Sequence, residues 1–424
     1  MEIYKQSPWG KIPIQWKISS VKEETEVVTD YVANGSFASL ADNVKYKSQE
    51  DYAVLIRLVD YNNQFNGDFV YISKDAYEFL SKSKLYGDEI IISNVGANVG
   101  TVFKCPHLKY KMSLAPNAIM VKFKGNNEFY YYWLKSRFGQ YMLNSIVTGS
   151  AQPKFNKTNF RDLLIPVPPI DVQDRISTIL KSLDDKIELN RRINDNLEQQ
   201  AQALFKLWFV DNINEDWSKC QLSEIADFFG GYSYKGCELI EDSQIAMATI
   251  KNFDRSGGFK IDGYKPISPS AKLKESQTAS LFDILVAHTD LTQNAEVIGN
   301  AEQIMTTGSF EKIIYSMDLV KVVPKAIFPF KYLLCALLKN NYFKSHCLGY
   351  VNGTTVLHLS KRALPDYSIY LPDNDTAKTF DAIFESIYKQ IAQNIAEIES
   401  LTHVRDCLLP RLMSGELKIN DLNC

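Results

Sequence analysis

The sequence predicts an α+β protein: two globular domains separated by two long helices that pair as an antiparallel coiled coil, with an internal pseudo-two-fold repeat. Three observations predict it. The stretch from about Phe129 to Phe209 can be laid on Leu333 to Met413 without a gap, at a constant offset of 204 residues. Before each stretch lie short strand-like runs broken by Gly, Asn and Asp. Each stretch ends in a long helix-forming segment whose apolar positions alternate in steps of four and three, the spacing of a heptad seam. The expected boundaries are 1–169 for the first globular unit, 170–210 for its helix, 211–371 for the second unit, 372–413 for its helix and 414–424 for a tail. A chain built twice on one plan presents two similar surfaces, as needed to read something itself two-fold, such as a DNA duplex.

At 424 residues the chain is too long for one ordinary core. Apolar residues at 45% and charged residues at 23% describe a globular protein. No apolar run approaches the ~18 residues that span a bilayer. The opening Met1-Glu2-Ile3-Tyr4-Lys5-Gln6-Ser7-Pro8 segment lacks the apolar core of a signal peptide, so a cytoplasmic location is expected. Seven cysteines and five histidines are scattered without a Cys-x-x-Cys; reduced, mostly buried thiols are expected rather than a metal site. Net charge is +4 over residues 1–169, −1 over 170–210, −2 over 211–371 and −4 over 372–424. Only the first unit is basic, so a large phosphate-binding face from this chain alone is not expected.

Each unit opens on a tryptophan-containing entry segment, with Trp9 and Trp16 in the first and Trp217 in the second. Asp88–Ser93 and Asp283–Ala287 read as corresponding strands. Helical stretches follow at Glu128–Asn144 and Lys331–Cys347. The aromatic run Phe129-Tyr130-Tyr131-Tyr132-Trp133 has the composition of a base-stacking platform, but helical spacing favours a core role. Each unit closes with a Gly-Ser/Thr turn at Gly149 and Gly353, a polar stretch and a proline exit at Pro166-Val167-Pro168-Pro169 or Pro372. Proline can then set the first turn of a helix.

In the first long helix the seam is Ile176, Leu180, Leu183, Ile187, Asn190, Leu197 and Leu204. In the second it is Phe380, Phe384, Ile387, Ile391, Asn394, Leu401 and Leu408. From Asp171 to Leu204 the first helix would run roughly 50 Å at about 1.5 Å per residue. Asn190 and Asn394 interrupt both seams at the same place. They either fix register inside the seam or mark where it turns to solvent. Antiparallel pairing within one chain would make a rod with one globular unit at each end.

Catalytic constellations are missing. There is no Gly-x-x-x-x-Gly-Lys-Ser/Thr phosphate loop, no His-Glu-x-x-His, no Gly-x-Ser-x-Gly and no Asn-Pro-Pro-aromatic motif. Gly230-Gly231-Tyr232-Ser233-Tyr234-Lys235-Gly236 fits no phosphate loop and reads as a turn. The acidic pairs Glu23-Glu24 and Asp184-Asp185 read as solvated surface. The chemistry points to binding rather than catalysis.

Three features together resemble the specificity (S) subunits of type I restriction–modification systems. They are the alternation of variable units with similar helices, the helix start Pro168-Pro169-Ile170-Asp171-Val172-Gln173, and the terminus Leu409-Pro410-Arg411-Leu412-Met413-Ser414-Gly415-Glu416-Leu417. The second helix departs from the pattern: Leu371-Pro372-Asp373-Asn374-Asp375 leads on without the glutamine. The resemblance implies a non-catalytic subunit in which each globular unit is a target-recognition domain for one half of a bipartite double-stranded DNA sequence. It implies that the helices set the spacer and dock two methyltransferase subunits, joined in some systems by motor-nuclease subunits. S-adenosylmethionine, ATP and Mg would belong to those partners, with no cofactor or metal in this chain. The chemistry of loop residues, basic or amide groups beside aromatics, gives the DNA-contact candidates. These are Lys45, Tyr46, Lys47, Asn62, Asn63, Gln64, Gln152 and Lys154 in the first unit, and Lys251, Asn252, Arg255, Lys260, Tyr264 and Lys265 in the second. The alternative, open because of the near-neutral charge, is a coiled-coil adaptor with two protein- or glycan-binding domains.

Overall fold

The computed structural model describes residues 4–255 and 257–417. The chain forms two compact units. Unit 1 is Met1–Asp185 together with the C-terminal stretch from Thr402; unit 2 is Lys186–Leu401. Each unit contains part of both long helices.

Unit 1 holds two four-stranded sheets. One runs in the order Thr25–Asp30, Ala118–Phe123, Ile90–Ser93, Val102–Lys104; the other runs Val70–Ile72, Ala53–Ile56, Lys111–Leu114, Lys84–Leu85. Ile90-Ile91-Ile92-Ser93 is buried at every position, as its unbroken β-branched run requires of a central strand. Ala53–Ile56 pairs in parallel with Lys111–Leu114, and most other ladders in the unit are antiparallel. The entry strand Lys17–Ser20 pairs with the exit strand Leu164–Val167, which joins the unit's two chain ends.

Unit 2 repeats these two sheets strand for strand. Ala226–Gly230, Leu319–Pro324, Ile284–Ala287 and Ala301–Gln303 form the first sheet; Lys265–Pro266, Ile245–Ala248, Lys312–Tyr315 and Thr278–Ala279 form the second. Ile245–Ala248 and Lys312–Tyr315 are again the parallel pair, and Ser218–Gln221 again pairs with the exit strand Ser368–Leu371. The duplication thus extends to the N-terminal parts of both units, where the sequence shows no gapless repeat.

The long helices are Ile170–Lys206 and Asn374–Met413. In unit 1, Ile176 and Leu180 are buried in one core with Leu412, Met413 and the domain helix Asn127–Lys135. In unit 2, Ala201 and Phe205 share a core with Phe384, Ile387 and Ile391, and Trp208 stacks on Phe380 at 3.9 Å. Contacts in unit 2 run from Asn190–Glu397 through Asn194–Asn394 to Trp208–Phe380, so a step down one helix is a step up the other: the helices pair antiparallel. Every seam residue is at least half-buried. Ile176, Leu180, Ile187, Asn190, Phe384, Ile387, Ile391 and Asn394 are buried; Leu183, Leu197, Leu204, Phe380, Leu401 and Leu408 are half-buried.

The asparagines do not turn to solvent: Asn190 is 1% and Asn394 5% exposed. Asn190 Nδ2 donates to Glu397 Oε2 at 2.8 Å, Asn394 Nδ2 donates to Asn194 Oδ1 at 2.8 Å, and Gln390 Nε2 donates to Asn394 Oδ1 at 2.9 Å. A buried amide without partners would cost roughly 1–3 kcal/mol, and these bonds remove that cost.

The two helices are held to their units by different side chains. Gln173, the residue the second helix lacks, is turned inward: its Oε1 accepts from Asn126 N at 3.0 Å and its Nε2 donates to Pro168 O at 2.8 Å. A side chain on Gly125 would strike Gln173 Oε1 at 2.7 Å. In unit 2 the corresponding job falls to Asp381, whose Oδ1 accepts from both Tyr332 N and Leu333 N at 2.8 Å, satisfying the start of the helix Lys331–Leu338. The Ser-Gly-Glu-Leu terminus has a geometric cause as well. Gly415 leaves the second helix at φ +68°, and a Cβ there would lie 2.4 Å from Pro13.

Asp184 departs from the surface role expected of it. It accepts from Tyr132 Oη at 2.8 Å and pairs with Arg405 at 2.8 Å, both within unit 1. The run Phe129–Trp133 is buried throughout, which makes it core and not a stacking platform. Cys105, Cys335 and Cys347 are buried, Cys220 is half-buried, and Cys237 and Cys407 are exposed; Cys424 lies outside the described residues. Burial pushes the Cys347 thiol up to about 12.

Candidate nucleic-acid interface

In unit 1 the helix Phe37–Asn43, capped by Ser36, ends on a loop that presents Lys45, Tyr46 and Lys47 to solvent. Lys45 Nζ caps the helix end through Ala41 O at 2.5 Å. Lys47 pairs with Asp51, and its backbone is fixed in both directions to Tyr71. Beside this loop lies a cavity of about 580 Å³, lined by Tyr31, Phe37, Lys45, Tyr46, Asn94 and Asn117 among others. Burial, reinforced by a hydrogen bond to Tyr46, holds the Tyr31 hydroxyl well above the ordinary tyrosine range.

Gln152 and Lys154 are exposed on the turn after Gly149. Lys154 exchanges backbone hydrogen bonds with Thr148 and bridges Val95, which also lines the cavity. Asn62, Asn63 and Gln64 are exposed at the end of the helix Leu58–Asn62. Gln64 and Phe65 take φ of 54° and 57° there, and none of the three polar residues lines the cavity. The structure thus gathers Lys45 and Tyr46 at one cavity, brings Lys154 against its wall, and leaves the Asn62–Gln64 turn elsewhere.

In unit 2 the candidates divide into surface and scaffold. Asn252 is fully buried: its Nδ2 donates to Lys260 O at 2.6 Å and its Oδ1 accepts from Thr249 N at 2.8 Å. Its amide holds the loop closed and lies out of reach of a base, so Asn252 is scaffold and not a contact residue. Tyr264 is also scaffold, with its hydroxyl on Thr306 O at 2.7 Å and its ring against Phe259 and Phe310. Lys265 is half-buried in a strand paired to Met247. Lys251 is exposed, Arg255 pairs with Glu296 at 3.1 Å, and Lys260 pairs with Asp254 at 2.7 Å. These three remain at the surface and keep the charge that a phosphate contact needs.

Asn94 and Asn117, outside the sequence-derived candidates, also line the cavity. They lie in the N-terminal part of unit 1, where no gapless repeat flags equivalent positions, and only strand register brings them together: Asn94 N donates to Asn117 O at 3.1 Å. Among the described residues no group of His, Cys, Asp and Glu is placed to hold a metal ion, and no helix is long and apolar enough to cross a membrane.

Comparison with known proteins follows the same lines. Residues 13–199 match the "Type I restriction modification DNA specificity domain". The chain is 24% identical to the MjaIX specificity subunit of Methanocaldococcus jannaschii, a match covering 99% of this chain and 97% of that protein. It is 25% identical to the MjaVIII specificity subunit of the same organism, covering 91% and 93%. The fold is similar to a crystal structure of the type I restriction–modification S subunit from M. genitalium, with TM-score 0.54 and 15% identity over 94% of this chain and 96% of that one. None of these supports the adaptor alternative. Two units of one topology, antiparallel long helices and specificity-subunit relatives matched along nearly their full length are what this chain shares with the type I restriction–modification specificity subunits, to which it is similar.

Proposed function

We propose that each unit reads one half of a bipartite DNA target, that the long helices set the unread spacing, and that methyltransferase subunits dock on them. The family is non-catalytic, so methyl transfer belongs to those partners; S-adenosylmethionine, and where a motor-nuclease subunit joins, ATP and Mg, would be bound there. The observation that supports this reading is the repeated strand order with dissimilar loop residues on it: Lys45 and Tyr46 beside one sheet pair, Lys251, Arg255 and Lys260 beside the other. A shared frame with different side chains suits two heads that read different words. The net charge of −3 means that much of the phosphate attraction must come from partner subunits. Mapping methylated adenines genome-wide, with and without this gene, tests the reading. A bipartite motif that loses methylation on deletion is expected; an unchanged methylation pattern would refute it.

A further inference from the structure

The register of the central sheets sets two pairs of residues at identical backbone positions. In unit 1, Ser93 pairs with Ala118, and the flanking Asn94 and Asn117 are joined from Asn94 N to Asn117 O at 3.1 Å. In unit 2, Ala287 pairs with Leu319, and the flanking His288 and Asp318 are joined from His288 N to Asp318 O at 2.8 Å. The next link is shared too: Phe155 N donates to Asn94 O, and Leu359 N donates to His288 O.

The side chains at these positions do different things. Asp318 is tied inward, accepting from Thr289 Oγ1 at 3.0 Å and Ser316 Oγ at 3.3 Å. Asn117 is exposed, stands at φ +66°, and among the described residues its amide makes no hydrogen bond. The frame therefore does not require a free amide there. Asn94 donates its Nδ2 to Phe155 O at 3.0 Å, which fixes the amide's orientation and leaves Oδ1 as a buried acceptor without a partner. Both asparagines line the 580 Å³ cavity that Lys45, Tyr46 and the 82% exposed Phe37 also line.

A free amide, a second amide oxygen lacking a donor, aromatic rings and one cation in a single recess match the edge of a purine with an exocyclic amine. Asparagine pairs in bidentate fashion with adenine N6 and N7, and a nearby lysine suits the flanking phosphate. We infer that this cavity is the base-reading site of the first unit, that Asn117 reads an adenine in its half-site, and that Lys45 holds an adjacent phosphate. The inference rests on the DNA-reading function proposed above and names the residues that would perform it in one unit.

The test uses the full chain with its methyltransferase partner. Methylation-site sequencing is run on the parent and on Asn117→Ala, Asn117→Asp and Lys45→Ala, with binding to the parent's target duplex and its single-base variants measured alongside. Asn117→Ala should reduce discrimination at one adenine position about tenfold and leave the other half-site unchanged. Asn117→Asp, which can only accept, should move the preference at that position toward cytosine. Lys45→Ala should weaken binding to all duplexes alike and lower the salt slope by about one. A motif unchanged in both Asn117 variants overturns the site while leaving the DNA-reading function intact. A parent chain that directs no sequence-specific methylation removes that function and the site with it.

Discussion

Asn394 donates its side-chain amide to Asn194 Oδ1 across the helix pair at 2.8 Å, and not to Asn190, the residue it matches in the repeat. Asn190 instead meets Glu397. The two halves of the chain thus satisfy the same buried polar position with different partners. Sliding one helix by a heptad, two turns, in one direction would set Asn394 against Ile187 and Asn190 against Ile391, so the layer disfavours that register. Replacing either Asn190 or Asn394 with Ala should cost about 1–2 kcal/mol by urea denaturation. Because they share no partner, the double variant should be additive to within about 0.5 kcal/mol. A coupling well above that would mean that the two act as one network.

Lys339 sits between two carboxylates, 2.6 Å from Glu198 and 2.8 Å from Glu302. Lys339→Met leaves both acids without a counter-charge and should destabilise unit 2 by about 3–5 kcal/mol. Hydrogen exchange should show the loss in the helix Lys331–Leu338 first.

One ammonium cannot neutralise two acids, and burial holds the Glu302 carboxyl above the usual carboxylate range. The folded state therefore keeps a proton that the unfolded state has lost once pH passes the ordinary glutamate value of about 4.3. Stability should fall as pH rises from there through the raised Glu302 value. Glu399 and Asp381, also raised by burial, act in the same direction. Asp290 and Glu238 are lowered, chiefly by hydrogen bonds that outweigh burial, and their contributions are lost only at more acid pH. Glu302→Gln should reduce the decline that thermal melts show as pH rises above the ordinary glutamate value; an unaltered slope would remove Glu302 as its source.

Asn252→Ala should open the loop at Thr249–Lys260 and cost about 1–3 kcal/mol in thermal denaturation, because two bonds to a buried amide are lost. Lys251→Ala, one residue away on the surface, should stay within about 0.5 kcal/mol yet weaken DNA binding. The reverse ranking would mean that the loop has been read inside out.

Four residues inserted in both long helices, about one turn each, should lengthen the unread spacer and leave both half-sites as they were. Methylation-site sequencing reads the outcome directly, and an unchanged spacer would argue against the helices as the ruler.

The long helices were legible in the sequence because a four-three apolar pattern without glycine or proline as far as Pro410 permits little else, and no seam residue is exposed. The second repeat of the sheets was not. Short strands such as Lys84–Leu85 and Thr278–Ala279 have no periodicity to read, and their order emerges only from pairing. The loop candidates failed where residue type was taken for exposure: Asn252 and Tyr264 have the chemistry of readers but spend it on their own loop. Asn117 gave no signal for the opposite reason: a lone asparagine before a strand looks like any turn, and only pairing brings it to the cavity.

Exchange of a whole unit tests the account most directly. Lys17–Val167, bounded by its paired entry and exit strands, is replaced by the corresponding Ser218–Leu371, so that both frames carry the second unit's loops. Methylation-site sequencing should then find a split target whose two halves are copies of one original half, with the other half gone. A target that keeps both original halves, or one uninterrupted word, would contradict independent reading by the two units.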